Sequence, residues 1–103
     1  MIDLTGRAAL VTGAGVGIGR AIAESLAGAG AVVGVHCHRS MDEARQVVEG
    51  IRGRGGSAYL LPADLAEPAA AARVVDEFVQ QAGRLDILVN NAGSPVERAR
   101  IED

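Results

Sequence analysis

Apolar positions in this chain gather into four short runs, and the stretches between them carry helical spacing. Ala8-Ala9-Leu10-Val11 is apolar throughout and ends in Thr12-Gly13. Such a run is too short for a buried helix and suits a strand covered on both faces. Ile18, Ile22 and Leu26 then recur every four residues, the repeat of one helix face, and Gly28 and Gly30 end that stripe. Ala31 to His36, rich in β-branched residues, predicts a second strand. Ser40 and Glu43 have the spacing of a capping box, which places a helix start at Ser40. Ala44, Val47, Val48 and Ile51 form the inner face of that helix, and Gly53, Gly55 and Gly56 terminate it.

The third strand is Ala58-Tyr59-Leu60-Leu61, closed by Pro62. Pro68 suits the first turn of a third helix, where its missing N–H costs nothing. Ala71, Val74, Val75, Phe78 and Val79 give that helix an inward face, and Gly83 stops it. Leu85 to Asn90 is a fourth strand, and Asn91 to Asp103 shows little pattern beyond a charged tail. Strands that alternate with helices through short loops predict an α/β fold. The sheet is expected to be parallel, with right-handed crossovers and helices on both faces.

Composition narrows the class. The chain has 103 residues, one domain at most, with 49% hydrophobic and 22% charged residues, the balance of a folded chain. A net charge of −3 gives no general pull toward nucleic acid or anionic membrane. Tyr59 and Phe78 are the only aromatics, too few for stacking platforms. No apolar run approaches the ~20 residues of a membrane span, and the N-terminus lacks the blocks of a signal peptide. A single cysteine, Cys37, excludes an internal disulfide. Cytoplasm is the expected location.

Gly13, Gly15, Gly17 and Gly19 stand at alternate positions between the first strand and the first helix. Four glycines so close form a special turn, not a helix interior. A helix N-terminus presents unpaired N–H groups and partial positive charge, and glycines let a diphosphate come near them. The turn is therefore a candidate diphosphate site; the plainer alternative is a tight turn that binds nothing. Gly19 is followed by Arg20-Ala21 rather than Lys-Ser/Thr, so this is no nucleoside-triphosphatase loop. The G-x-G-x-x-G spacing would need glycine at Ile18 or Arg20 and also fails.

The segment Thr12-Gly13-Ala14-Gly15-Val16-Gly17-Ile18-Gly19 resembles the cofactor loop of the short-chain dehydrogenases/reductases. Leu4-Thr5-Gly6-Arg7 before the first strand, Asp64-Leu65 after the third and Asn90-Asn91-Ala92-Gly93 after the fourth are similar to that family's other motifs. The resemblance covers the chain from about residue 4 onward. It implies a Rossmann-type doubly wound sheet with strand order 3-2-1-4. It also implies that Gly13, Gly17, Ile18 and Gly19 approach the diphosphate and ribose, that Asp64 bonds the adenine amino group, and that Leu65 packs near the ring. Asn90 and Ala92 would line the adenosine side, and Gly93 would admit the nicotinamide side.

An NAD-selecting site places an acid about 20 residues past the glycine turn, and no Asp or Glu occurs from Ser25 to Met41. Arg39 is suited to a 2′-phosphate, at roughly 1.5–3 kcal/mol for a charged hydrogen bond. His38 and Ser40 can add donors. The stretch His36-Cys37-His38-Arg39-Ser40 is similar to that of pteridine reductases, which use NADP. NADP is thus expected over NAD, although the glycine turn itself carries Val16 where many NADP-type members place a basic residue. A solvated loop charge is the other reading of Arg39. His36, Cys37 and His38 are too few for a zinc site and read as two polar loop-edge histidines around a small buried thiol.

The resemblance implies hydride transfer between nicotinamide and a carbonyl or alcohol carbon in a complete enzyme. The family's serine, its tyrosine with a lysine four residues on, and its relay asparagine would all follow this region. Tyr59 is followed by Leu60-Leu61-Pro62-Ala63, and the chain holds no lysine. The expectation is one truncated cofactor-binding domain over residues 1–103, inactive alone and self-associating through an exposed fourth-strand edge. The alternatives are a free-standing dinucleotide-binding module and a non-functional truncation product. Substrate is not readable.

Overall fold

The computed structural model describes residues 2–91. Seven elements follow in order: β1 (Ala8–Val11), α1 (Gly17–Gly28), β2 (Val32–Cys37), α2 (Met41–Gly53), β3 (Ser57–Pro62), α3 (Ala70–Ala82) and β4 (Ile87–Val89). The strands pair in parallel in the order β3-β2-β1-β4. The chain steps outward from β1 to β3 and then returns across to β4, so strand order reverses beside β1. This is the doubly wound Rossmann arrangement that the family resemblance implies.

Alternation along the strands divides the core into two layers. Ala9, Val11, Val33, Val35, Cys37 and Ala58 pack with Ala23, Ala44, Val47, Val48 and Ile51 on the α1 and α2 side. On the other side Ala8, Leu10 and Leu61 pack with Val74 and Phe78 of α3. Gly34 sits in the middle of β2, where a Cβ would come within 2.7 Å of Phe78 and 2.9 Å of both Leu10 and Leu61. The missing side chain is the space that Phe78 fills.

Four local expectations change. The capping box does not close: Ser40 occupies the N-cap position, but its hydroxyl makes no cap bond and only its carbonyl accepts from Ala44 N. Pro68 lies in the turns before α3, whose N-cap is Ala69. Those turns are held by Asp64, whose carboxylate takes the Ala66 amide at 3.0 Å and whose carbonyl takes Glu67 N at 3.2 Å. The buried stripe of α3 is narrower than its sequence suggests: Ala70, Val74 and Phe78 are buried, Val75 is half-buried, and Ala71 and Val79 are exposed. Ile18 likewise leaves the apolar stripe of α1; it is 73% exposed, while Ile22 and Leu26 pack on the core.

β4 is shorter than Leu85–Asn90 because Asp86 replaces strand pairing with its own bonds. Its backbone N–H donates to Ala8 O at 2.8 Å, and its carboxylate accepts the Ala8 amide at 2.8 Å. Arg84 grips the same carboxylate through two bonds at 2.7 and 2.8 Å. The Arg84 bonds, then the backbone bond to Ala8, hold the Asp86 carboxyl below its usual 3.8. A carboxyl so lowered stabilises the fold above its unfolded value and loses that contribution as the pH falls through its folded value. Asp86→Asn is expected to lower the urea midpoint near neutral pH and to flatten its fall on acidification toward about pH 3. Equal acid sensitivity in both proteins would remove this role. β4 pairs with β1 alone among the described residues, and Leu88 on it is 56% exposed.

Candidate dinucleotide site

Parallel strands put the segments that follow them on one edge of the sheet. Residues 12–16, 38–40, 63–67 and 90–91 therefore share the edge where ligands of doubly wound sheets bind.

The glycine turn is built from positions with different tasks. Gly13 and Gly17 have φ of 61° and 60°, the left-handed region that favours glycine. Gly17 has nothing within 4 Å of a would-be Cβ and opens the first turn of α1 to the outside. Gly19 is the opposite case: it is buried, and a Cβ there would collide with Gly13 O and lie 2.5 Å from Asn91 Nδ2. Gly15 lets the turn touch α2, with a would-be Cβ 3.0 Å from Ser40 O.

The amides of the turn divide in the same way. Gly13 N–H donates to His36 Nδ1 at 3.0 Å, and Ala14 N–H donates to His36 O at 2.8 Å. Arg20 N–H is the first to bond back within the helix, to Val16 O at 3.3 Å. Gly17, Ile18 and Gly19 supply the first-turn N–H groups that an α-helix leaves without acceptors, and no side chain caps them. Partial positive charge at this end favours an anion there. Gly13 thus shapes the site without offering its amide.

Thr12 and the asparagine pair brace the turn from the β4 side. Thr12 is buried; its hydroxyl lies 3.2 Å from Asn90 Oδ1 and accepts the Asn91 amide at 2.8 Å. Asn91 Nδ2 in turn donates to Gly13 O at 3.2 Å. Sequence reading placed Asn90 in the cleft and also allowed a structural role for the pair; these bonds are that role. Ala92 and Gly93 lie outside the described residues.

On the far side of β1, His38 Nε2 stands 3.8 Å from Asp64 Oδ2, both half-exposed. Asp64 is therefore a turn carboxylate as well as a candidate adenine contact, with acceptor capacity left over. Arg39 is exposed and pairs with no carboxylate among the described residues, and Ser40 adjoins it with its hydroxyl unused as a cap. Leu65 is half-buried against the α3-side core.

His36 is the residue that sequence reading misjudged. It is not at a loop edge but 2% exposed, facing the α3 side of the sheet. Its Nε2 donates to Ala63 O at 2.9 Å while Nδ1 accepts from Gly13, which specifies the neutral Nε2–H form. Burial pushes its pKa below the ordinary 6.5, against the opposing effect of the Ala63 carbonyl. Its position at the end of a central strand was the available signal. Cys37 is buried as expected, and burial raises its thiol pKa.

Fold and site together define a Rossmann-type nucleotide-binding unit. A family model described as short chain dehydrogenase matches residues 7–103, and the chain belongs to that family. An uncharacterized oxidoreductase of Methylorubrum extorquens is 48% identical over 103 residues, which cover all of this chain and 41% of that protein. A short chain dehydrogenase of Burkholderia cenocepacia, solved in complex with NADP, is 47% identical with a TM-score of 0.86, over 89% of this chain and 38% of its own. A 7α-hydroxysteroid dehydrogenase complexed with NADH and 7-oxo glycochenodeoxycholic acid is 39% identical with a TM-score of 0.81, over 85% and 34% of the two chains. This chain spans about two fifths of the length of such relatives. No helix among the described residues is long and apolar enough to cross a membrane.

Proposed function

We propose that this chain is the NADP(H)-binding part of a short-chain oxidoreductase. The observation that carries the reading is the open first turn of α1, whose Gly17, Ile18 and Gly19 amides stand at the strand-order reversal beside a Gly17 that nothing covers. The diphosphate lies on those amides; Asp64 and Leu65 flank the adenine, and Asn90 borders the adenosine side. His38, Arg39 and Ser40 receive the 2′-phosphate, and the helix end at Met41 favours the same anion. Ala92 and Gly93 complete the binding set by resemblance to the family motif.

When bound, a nicotinamide dinucleotide supplies or accepts a hydride at a carbonyl or alcohol carbon. The residues of this chain bind and orient; none of them is assigned to proton transfer. Relatives solved with NADP and with NADH both share this fold, so support for NADP comes from Arg39 and from the lack of an acid between Ser25 and Met41.

Calorimetric titration of NADP+ and NAD+ tests the reading. The protein is expected to bind NADP+ more tightly. Arg39→Ala is expected to weaken NADP+ by about ten- to a hundredfold, the worth of one charged hydrogen bond, and to leave NAD+ unchanged. Tighter binding of NAD+ than NADP+ by the unmodified protein would overturn the 2′-phosphate assignment. Binding of neither would overturn the site.

A further inference from the structure

The ring of His36 joins two segments that are far apart in sequence. Nδ1 holds Gly13 of the glycine turn, and Nε2 holds Ala63, the residue before Asp64. One buried side chain therefore sets the distance between the diphosphate end and the adenine end of the proposed groove. The two bonds together require the neutral Nε2–H form, and it is the Gly13 bond that a second proton would break. A proton added at Nδ1 would aim a donor at the Gly13 donor, and the only ways to relieve that are to move the turn or to move the ring.

We propose that His36 is a positioning residue for dinucleotide binding, and that its protonation releases Gly13 and weakens the cofactor. This inference rests on the dinucleotide reading above. The groups bonded to the ring are backbone atoms of Gly13 and Ala63. The titratable neighbour is His38 on the same segment, itself 3.8 Å from the Asp64 carboxylate of the β3–α3 connection. Burial and, to a smaller extent, the nearby His38 oppose the charged ring, so the neutral form prevails at pH 6.5 and above.

The substitutions separate the two bonds. Asparagine at 36 places an acceptor near Gly13 but is too short for Ala63; glutamine reaches toward Ala63 and leaves Gly13 without its acceptor. NAD+ is the probe, because it lacks the 2′-phosphate that titrates in NADP+. Wild-type affinity is expected to be highest near pH 8 and to fall about three- to tenfold on acidification, as the ring titrates below its ordinary 6.5. Two-bond nitrogen–proton NMR of His36 should show the Nε2–H tautomer at high pH and its titration along the same curve. His36→Asn is expected to bind more weakly at pH 8 with the acid limb flattened, and His36→Gln to bind more weakly still.

An Nδ1–H tautomer, or an acid limb that survives unchanged in His36→Asn, would overturn the positioning role while leaving the site intact. Failure of the wild-type protein to bind NAD+ or NADP+ at pH 8 would overturn the site and the role with it.

Discussion

Replacing Phe78 by alanine is expected to lower the unfolding free energy by about 3–5 kcal/mol. Phe78 is fully buried and is the largest side chain of the smaller core, where Ala8, Leu10, Leu61 and Val74 surround it. It fills the hollow left by Gly34, so the strand beneath it has no side chain with which to close the gap. The cavity therefore persists instead of collapsing. Domains of this size are stable by about 5–15 kcal/mol, and each kcal/mol moves Tm by about 4–8 °C. Thermal and urea melts of Phe78→Ala should show a much earlier transition or none. Leu88→Ala, at an exposed position on β4, should stay within about 0.5 kcal/mol of the parent. Equal losses in the two variants would mean that α3 is not docked on β1 and β2 as described.

Gly19→Ala is expected to have the largest effect on binding. Its methyl group would meet the Gly13 carbonyl, which is backbone and cannot rotate away, and would press on Asn91 Nδ2. Either α1 or the turn must shift. The fold should lose about 3 kcal/mol, and dinucleotide affinity should fall about a hundredfold, because the several amides proposed to hold the diphosphate would lose alignment together. Gly17→Ala provides the contrast. Open space surrounds that position, so its cost is the left-handed backbone alone, φ 60°, about 1–2 kcal/mol. Titration calorimetry and melts of both variants separate the effects. If Gly19→Ala retained parental affinity, the packing of α1 on the turn would not govern the site.

The two glycines also mark how far sequence reading reaches. Motif spelling located the turn and the sheet edge, because a strand, a glycine cluster and an apolar helix face are local patterns. It could not tell Gly13, whose amide is taken by His36, from Gly17, which faces the open. That difference depends on a residue 23 positions away in sequence. The capping box at Ser40–Glu43 failed for a related reason. Spacing states which bond is available; the Ser40 backbone, at φ −91° and ψ 54°, leaves that bond unmade.

From the sequence alone came the order of strands and helices, the parallel sheet, the glycine turn and the family resemblance. The first three rest on short-range periodicity and on the backbone freedom of glycine; the resemblance rests on the motif residues themselves. Tertiary structure decided which amides stay free, that His36 is buried and tautomerically fixed, that Asp64 serves its own turn, and that Asn91 holds Gly13. Those outcomes depend on which distant groups the sheet brings within about 3 Å, the length of a hydrogen bond, and no local pattern carries that information.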